Sequence, residues 1–183
     1  MLAFCAVVAL SACSSSSGDD NAKSTPSTTS AAAETQTSTP KSKSPDETAG
    51  DELLAAYNGY LDEIIKSYSQ ADVGGTHVKR FATGAALVTV QSQTKAMAEA
   101  GQVTTGRPAS TPKVTMIDLK RQVPRATITD CMDVSQWKVV DRTTKKEVEL
   151  PKERLTKYID VISLEKWGRQ WIVLKETPQE RKC

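Results

Sequence analysis

Histidine occurs once in these 183 residues, phenylalanine twice, and aromatic residues make up only 5% of the chain. One histidine and four cysteines leave few soft donors, so a zinc centre, which gathers three or four such ligands in one place, is not expected. Charge of one sign is also missing: 24 Lys and Arg oppose 22 Asp and Glu, far from the basic excess that binding nucleic acid requires. No apolar run approaches the roughly 20 residues that span a bilayer as a helix. No Ser/His/Asp triad signature, paired-carboxylate motif, phosphate-binding glycine loop or Cys-x-x-Cys pair is present. No metal, organic cofactor or nucleic acid is therefore expected. With 38% apolar and 25% charged residues, the composition is that of one modest domain.

What the N-terminus does have is a short apolar run, Leu2 to Leu10, followed by small residues up to Cys13. That is the shape of a signal peptide, although no Lys or Arg precedes the run. Leu10-Ser11-Ala12-Cys13 resembles the lipobox of bacterial lipoproteins, in which the cysteine thiol carries a diacylglycerol and the preceding peptide is removed. The resemblance implies a signal peptide over 1–12, which takes Cys5 with it, and lipidation at Cys13. Two or three acyl chains would anchor the protein durably, since each buried CH2 adds about 0.8 kcal/mol and one chain alone is marginal. The expected location is the extracytoplasmic face of the cell membrane.

Residues 13–47 are mostly Ser, Thr, Ala, Pro, Asp and Lys with no aromatic residue, and such a segment cannot bury a core. It reads as a lipidated, disordered tether, spanning roughly 30–35 Å as a flexible chain and about 110 Å if drawn straight. Its Ser, Thr and Pro also suit an O-glycosylated stalk.

The composition changes at Thr48, so 48–183 is the expected domain. Thr48 to Asp51 offer a capping-box start, and Leu53, Tyr57, Leu61, Ile64 and Tyr68 then recur at helical spacing in a helix that should stop near Asp72, where Gly74 and Gly75 would supply a left-handed cap. A second helical segment from Thr76 would carry Val78, Phe81, Ala85 and Val88 on one face, bent or divided at Gly84. Beyond Gly101 the period falls to 2. Strands are predicted at Lys113–Leu119, Arg125–Cys131, Trp137–Val140, Leu155–Leu164 and Gln170–Lys175, the last two joined through Glu165 to Gly168. Helices followed by an antiparallel meander mean an α+β domain with the helices packed on one face of the sheet.

This order, with Arg80-Phe-Ala-Thr-Gly84, Ile128-Thr-Asp-Cys-Met-Asp133, Trp137, a Trp-Gly hairpin and a terminal cysteine, resembles the nuclear-transport-factor-2-like cone fold. More narrowly it resembles small secreted or lipid-anchored actinobacterial proteins of that fold, including those associated with mammalian-cell-entry loci. The resemblance implies a curved, cone-like sheet. It implies no single activity, because that scaffold hosts isomerases, dehydratases, ligand carriers and interaction modules.

With Cys5 and Cys13 set aside, Cys131 and Cys183 remain, and an even pair in an exported domain predicts a disulfide. Enzymes of this fold place an Asp or His inside the cone, where burial readies it for proton transfer. The carriers here would be Asp118, Asp130, Asp160 and His77. Asp130 shares strand parity with Ala126 and Ile128, and Asp160 with Tyr158, Ile162 and Leu164, so both can face inward. Asp118 reads as a strand-end residue, His77 as a helix-cap or solvent residue, Asp133 as part of a turn, and Trp137, Trp167 and Trp171 as core or hairpin packing. The domain carries a net +4, scattered over Lys120, Arg121, Arg125, Arg142, Lys145 and Lys146, which suits a solvated face.

The expected function is a noncatalytic, membrane-anchored lipoprotein whose domain binds an envelope protein or an apolar small molecule. The alternatives are an isomerase- or dehydratase-like enzyme using one buried Asp, and a phage- or element-encoded envelope exclusion protein.

Overall fold

The computed structural model describes residues 43–183. The expectations for the signal peptide, for lipidation at Cys13 and for the tether up to residue 42 lie outside the described residues.

The first helix, α1 (Pro45–Gln70), starts three residues before the expected boundary at Thr48. Its capping box is built by Ser44 and Glu47 instead: the Ser44 hydroxyl accepts the Glu47 N–H at 3.2 Å, and the Glu47 carboxylate accepts the Ser44 N–H at 2.7 Å. Pro45 occupies the first turn, where its missing N–H is no loss, and Asp46 and Glu47 complement the positive end of the helix dipole. The helix ends close to the expected stop near Asp72, but its capping residue differs from the expectation. Ala71, in the left-handed region at φ 48°, is the cap, and Gly74 and Gly75 lie beyond it. Burial of Ala71 against Val103 and Val140 holds it in that conformation.

The second helical segment divides at the glycine, as expected, into α2 (Val78–Phe81) and α3 (Gly84–Glu99). Gly84 adopts φ +57°, and between the two helices Ala82 bridges to Val173. Because the chain restarts there, the helical phase is not carried across. α3 buries Ala86, Val90 and Thr94, and Val88, expected inside, is 59% exposed.

Six strands follow: β1 (Gln102–Thr105), β2 (Ala109–Asp118), β3 (Arg125–Asp133), β4 (Lys138–Asp141), β5 (Lys157–Trp167) and β6 (Gln170–Pro178). The main sheet is antiparallel in the order β2-β3-β5-β6. β4 is not part of that meander; it leaves to pair with β1, a strand whose single large apolar residue, Val103, gave no periodic signal. Gly106, at φ +75°, makes this detour feasible, since a Cβ there would stand 2.2 Å from the Gln136 carbonyl oxygen. The β5–β6 hairpin closes on the two residues Gly168 and Arg169. Only Gly168 has positive φ, the glycine-first pattern of a type II′ turn.

The domain is thus α+β, with helices laid on a curved antiparallel sheet. Leu53, Tyr57, Tyr60 and Ile64 of α1 and Val90 of α3 pack on Ile128, Ile162, Leu164, Trp171 and Val173 of the sheet. Cys131 and Cys183 stand with Cα atoms 5.7 Å apart and their sulfurs bonded, the disulfide expected from the cysteine count. Among the described residues no helix is long and apolar enough to cross a membrane.

Candidate functional site

β3 and β5 pair without a register break, and this sets Asp130 directly opposite Asp160 on the face covered by the helices. Both are buried, at 0% and 4% exposure, as their parity with Ile128 and Ile162 predicts. A third carboxyl joins them from a position outside the predicted strand, which ended at Lys175. On β6, Trp171 and Val173 point inward, and simple alternation would send Lys175 and Thr177 after them. A β-bulge intervenes: Leu164 pairs with Val173 while Ser163 pairs with Lys175, leaving Leu174 unmatched. The extra residue reverses the alternation. Glu176 therefore turns toward the helices, where the Tyr60 hydroxyl donates to it at 2.8 Å.

The three carboxyls differ in their surroundings. Asp130 accepts from the Tyr57 hydroxyl (2.8 Å) and the Ser110 hydroxyl (2.6 Å) at one oxygen, and from the Thr111 N–H (2.7 Å) at the other. It ties α1, β2 and β3 together. Asp160 accepts the Thr177 N–H at 2.9 Å. Burial pushes its carboxyl above the usual range, backbone hydrogen bonds oppose that shift, and the facing charge of Asp130 adds to it. Glu176, partly buried, is pushed up to about 7, chiefly by burial, with Tyr60 opposing and Asp160 assisting. Burial also holds the phenols of Tyr57, Tyr60 and Tyr68 well above their ordinary value, and that of Tyr158 at about 12. No Lys or Arg pairs with these carboxyls, since the ion pairs among the described residues all lie elsewhere, and Arg154 acts only on Tyr158, opposing the rise of its phenol.

Asp160 and Glu176 line one end of a cavity of about 260 Å³, whose other walls include Leu61, Ile64, Tyr68, Met132, Trp137 and Tyr158. Tyr68 and Trp137 are stacked, with ring centroids 5.6 Å apart. The Tyr68 hydroxyl is held by Gln93 of α3. Chemically this is a pocket of mixed lining, aromatic and aliphatic side chains beside the Asp160 and Glu176 carboxyls, with no cation among the residues lining it.

The remaining candidates do not come to this cavity. His77 is exposed, and its backbone N–H bonds to Glu63 at 2.6 Å. Asp118 ends β2 and accepts the Lys120 N–H at 3.1 Å, the strand-end role expected of it. Asp133, expected in a turn, is instead the last residue of β3, because the strand runs two residues beyond its predicted end, and its carboxylate accepts the Ser135 N–H at 2.9 Å. Trp171 is core, whereas Trp167, expected as hairpin packing, is 51% exposed at the hairpin. Among the described residues no group of three or more His, Cys, Asp and Glu is arranged to hold a metal ion.

The raised Glu176 carboxyl has a measurable consequence for stability. A carboxyl that holds its proton more tightly when folded stabilises fully below its unfolded value of about 4.5, and that contribution is lost as pH rises towards 7. The loss is at most about 3 kcal/mol, lessened by water reaching the partly buried group. Glu176→Gln is expected to flatten this decline, so that at neutral pH and above the variant outlasts the parent in urea. Identical pH profiles for the two would show that Glu176 is not desolvated.

No family model matches the chain, and no curated protein matches it. Among solved structures it is similar to the intermembrane space region of the chloroplast protein ARC6, at 10% identity and a TM-score of 0.47, over 75% of this chain and 98% of that one.

Proposed function

We propose that this protein is a membrane-anchored extracytoplasmic lipoprotein whose α+β domain is a noncatalytic binding module for a small molecule with an apolar body. The observation that carries the reading is the cavity between the helices and the sheet, where aromatic and aliphatic side chains stand beside a small number of polar groups, Gln93, Asp160 and Glu176 among them, a combination common to small-molecule sites. The anchoring half of the reading is supported by Leu10-Ser11-Ala12-Cys13 and the polar tract after it. An extracytoplasmic location is supported by the Cys131–Cys183 bond, since disulfides persist in oxidising compartments.

Glu176 favours a second reading, an isomerase- or dehydratase-like enzyme. A carboxyl with a pKa near 7 inside a cavity suits general acid–base work. Asp130 is poorly suited to that task, because both its oxygens are engaged by protein donors.

Native mass spectrometry of the protein extracted gently from its own membrane tests both. A mass beginning at Cys13 plus acyl chains, carrying a small molecule that leaves unchanged on denaturation, is the expected result. An unacylated chain overturns the anchor, and a released mixture of substrate and product isomers overturns the noncatalytic assignment.

A further inference from the structure

The cavity does not end at the aromatic pair. Tyr68, Gln93 and Trp137 also line a second cavity of about 350 Å³ on the other side, walled by Met97, Val134, Val139 and Leu150, with Arg154 among its residues. The two spaces adjoin at these three residues, and we infer that together they serve as one elongated site. Its inner end carries Asp160 and Glu176, its middle the Tyr68–Trp137 stack, and its outer arm is almost wholly apolar.

Two features of its walls are incomplete in the protein alone. Thr104, 93% buried and part of the outer arm, has a hydroxyl with no hydrogen-bond partner, and so has the Trp137 indole N–H. Buried polar atoms are seldom left unpaired in a folded domain, and each such atom calls for a partner the protein does not supply. At the inner end, Glu176 accepts from Tyr60 at one oxygen only, and no basic side chain pairs with Glu176 or Asp160. Buried carboxyls ordinarily have a paired cation.

We propose, resting on the binding-module reading above, that this elongated site takes an amphipathic organic amine. Its ammonium lies at the Asp160–Glu176 end, and its apolar body passes the Tyr68–Trp137 stack into the outer arm. An ammonium supplies several N–H donors and a positive charge to acceptors that have neither. Aromatic faces of Tyr and Trp attract such a cation within about 6 Å of the ring centre. Arg154 sets the direction, since its positive charge at the outer arm repels the head and favours its entry to the acidic end.

The titratable groups around Glu176 are Tyr57, Tyr60 and Tyr68 of α1, Asp130 of β3, and Tyr158 and Asp160 of β5. α3 faces the cavity with Thr89 and Gln93, and Arg154 stands beyond the aromatic pair. All but Arg154 are acids or neutral groups, so the inner end gains negative charge as pH rises, and an amine should bind more tightly with it.

Calorimetry on the full chain with 2-phenylethylamine and its isostere 2-phenylethanol isolates the head group. The expected result at about pH 8 is amine binding at least tenfold tighter than alcohol, a preference that shrinks towards about pH 5 as Glu176 takes up its proton. Glu176→Gln, which relieves burial of a charge and should fold well, is expected to remove most of the preference by weakening amine binding far more than alcohol binding. Asp160→Asn should act in the same direction. Equal binding of the two probes overturns the amine assignment and leaves the cavity reading standing. No binding of either overturns both. An amine preference that survives Glu176→Gln and Asp160→Asn places the amine elsewhere and overturns the site.

Discussion

Asp130→Ala is expected to cost about 3–5 kcal/mol of folding stability, most of what a domain of this size commonly has to spare. The reason is the asymmetry between making and breaking a buried polar network. Three donors converge on this one carboxyl: the Tyr57 hydroxyl from α1, the Ser110 hydroxyl from β2, and the Thr111 N–H from the same strand. Tyr57 is fully buried and has no water to turn to, so truncating Asp130 leaves its hydroxyl unpaired, at about 1–3 kcal/mol for each group so stranded. Loss of the charge facing Asp160 returns part of this, because like charges directly opposite on neighbouring strands repel. Asp130→Asn should cost much less. Its amide oxygen still accepts from Thr111, and its NH2 can donate to the Tyr57 and Ser110 hydroxyls, which rotate to accept. Urea unfolding of the three proteins checks the order, with parent most stable, Asn next and Ala last. Equal midpoints for Ala and Asn would mean that packing, not the hydrogen bonds, holds this point.

Removing the disulfide by Cys183→Ser is expected to cost up to about 4 kcal/mol, and to lower the unfolding midpoint by about 10 °C. The bond closes a separation of 52 residues, and without it the unfolded chain regains the conformations that closure forbids. The folded state is affected locally. Beyond β6 the tail runs along β5, with Gln179 and Arg181 exchanging backbone hydrogen bonds with Ile159 at 2.8 and 3.1 Å. Thr177, whose N–H holds Asp160, lies just before that tail. Loosening the end of β6 should therefore weaken the acidic end of the cavity before the core unfolds. Parallel melts with and without reductant, together with amide exchange at Thr177, test this. A midpoint shift below about 2 °C would show that the closed loop contributes little.

The inward placement of Asp130 and Asp160 was legible in the chain because both sit in uninterrupted alternation, Ala126-x-Ile128-x-Asp130 and Asp160-x-Ile162-x-Leu164, and their strands pair without a bulge. Glu176 was not legible for the opposite reason. Its orientation depends on one unmatched residue, Leu174, and a bulge leaves no mark in a run such as Trp171-Ile-Val-Leu174 that is apolar at every position. Val88 shows the same limit in a helix, since a phase read from Phe81 does not survive the restart at Gly84. β1 escaped notice because pairing with β4, not apolar periodicity, makes Gln102–Thr105 a strand.

By itself the sequence determined the α+β class, the order of its principal helices and strands, the division at Gly84 and the cysteine pair, because these rest on local periodicity, glycine conformation and simple count. Only the tertiary structure decided which side chains share a cavity. Grouping Asp160 and Glu176 with Tyr68 and Trp137 requires strand register, a bulge and the docking of α1, and these are set by contacts between residues as far apart as Tyr60 and Glu176. Packing of that range has no period along the chain, and so it leaves no pattern to read.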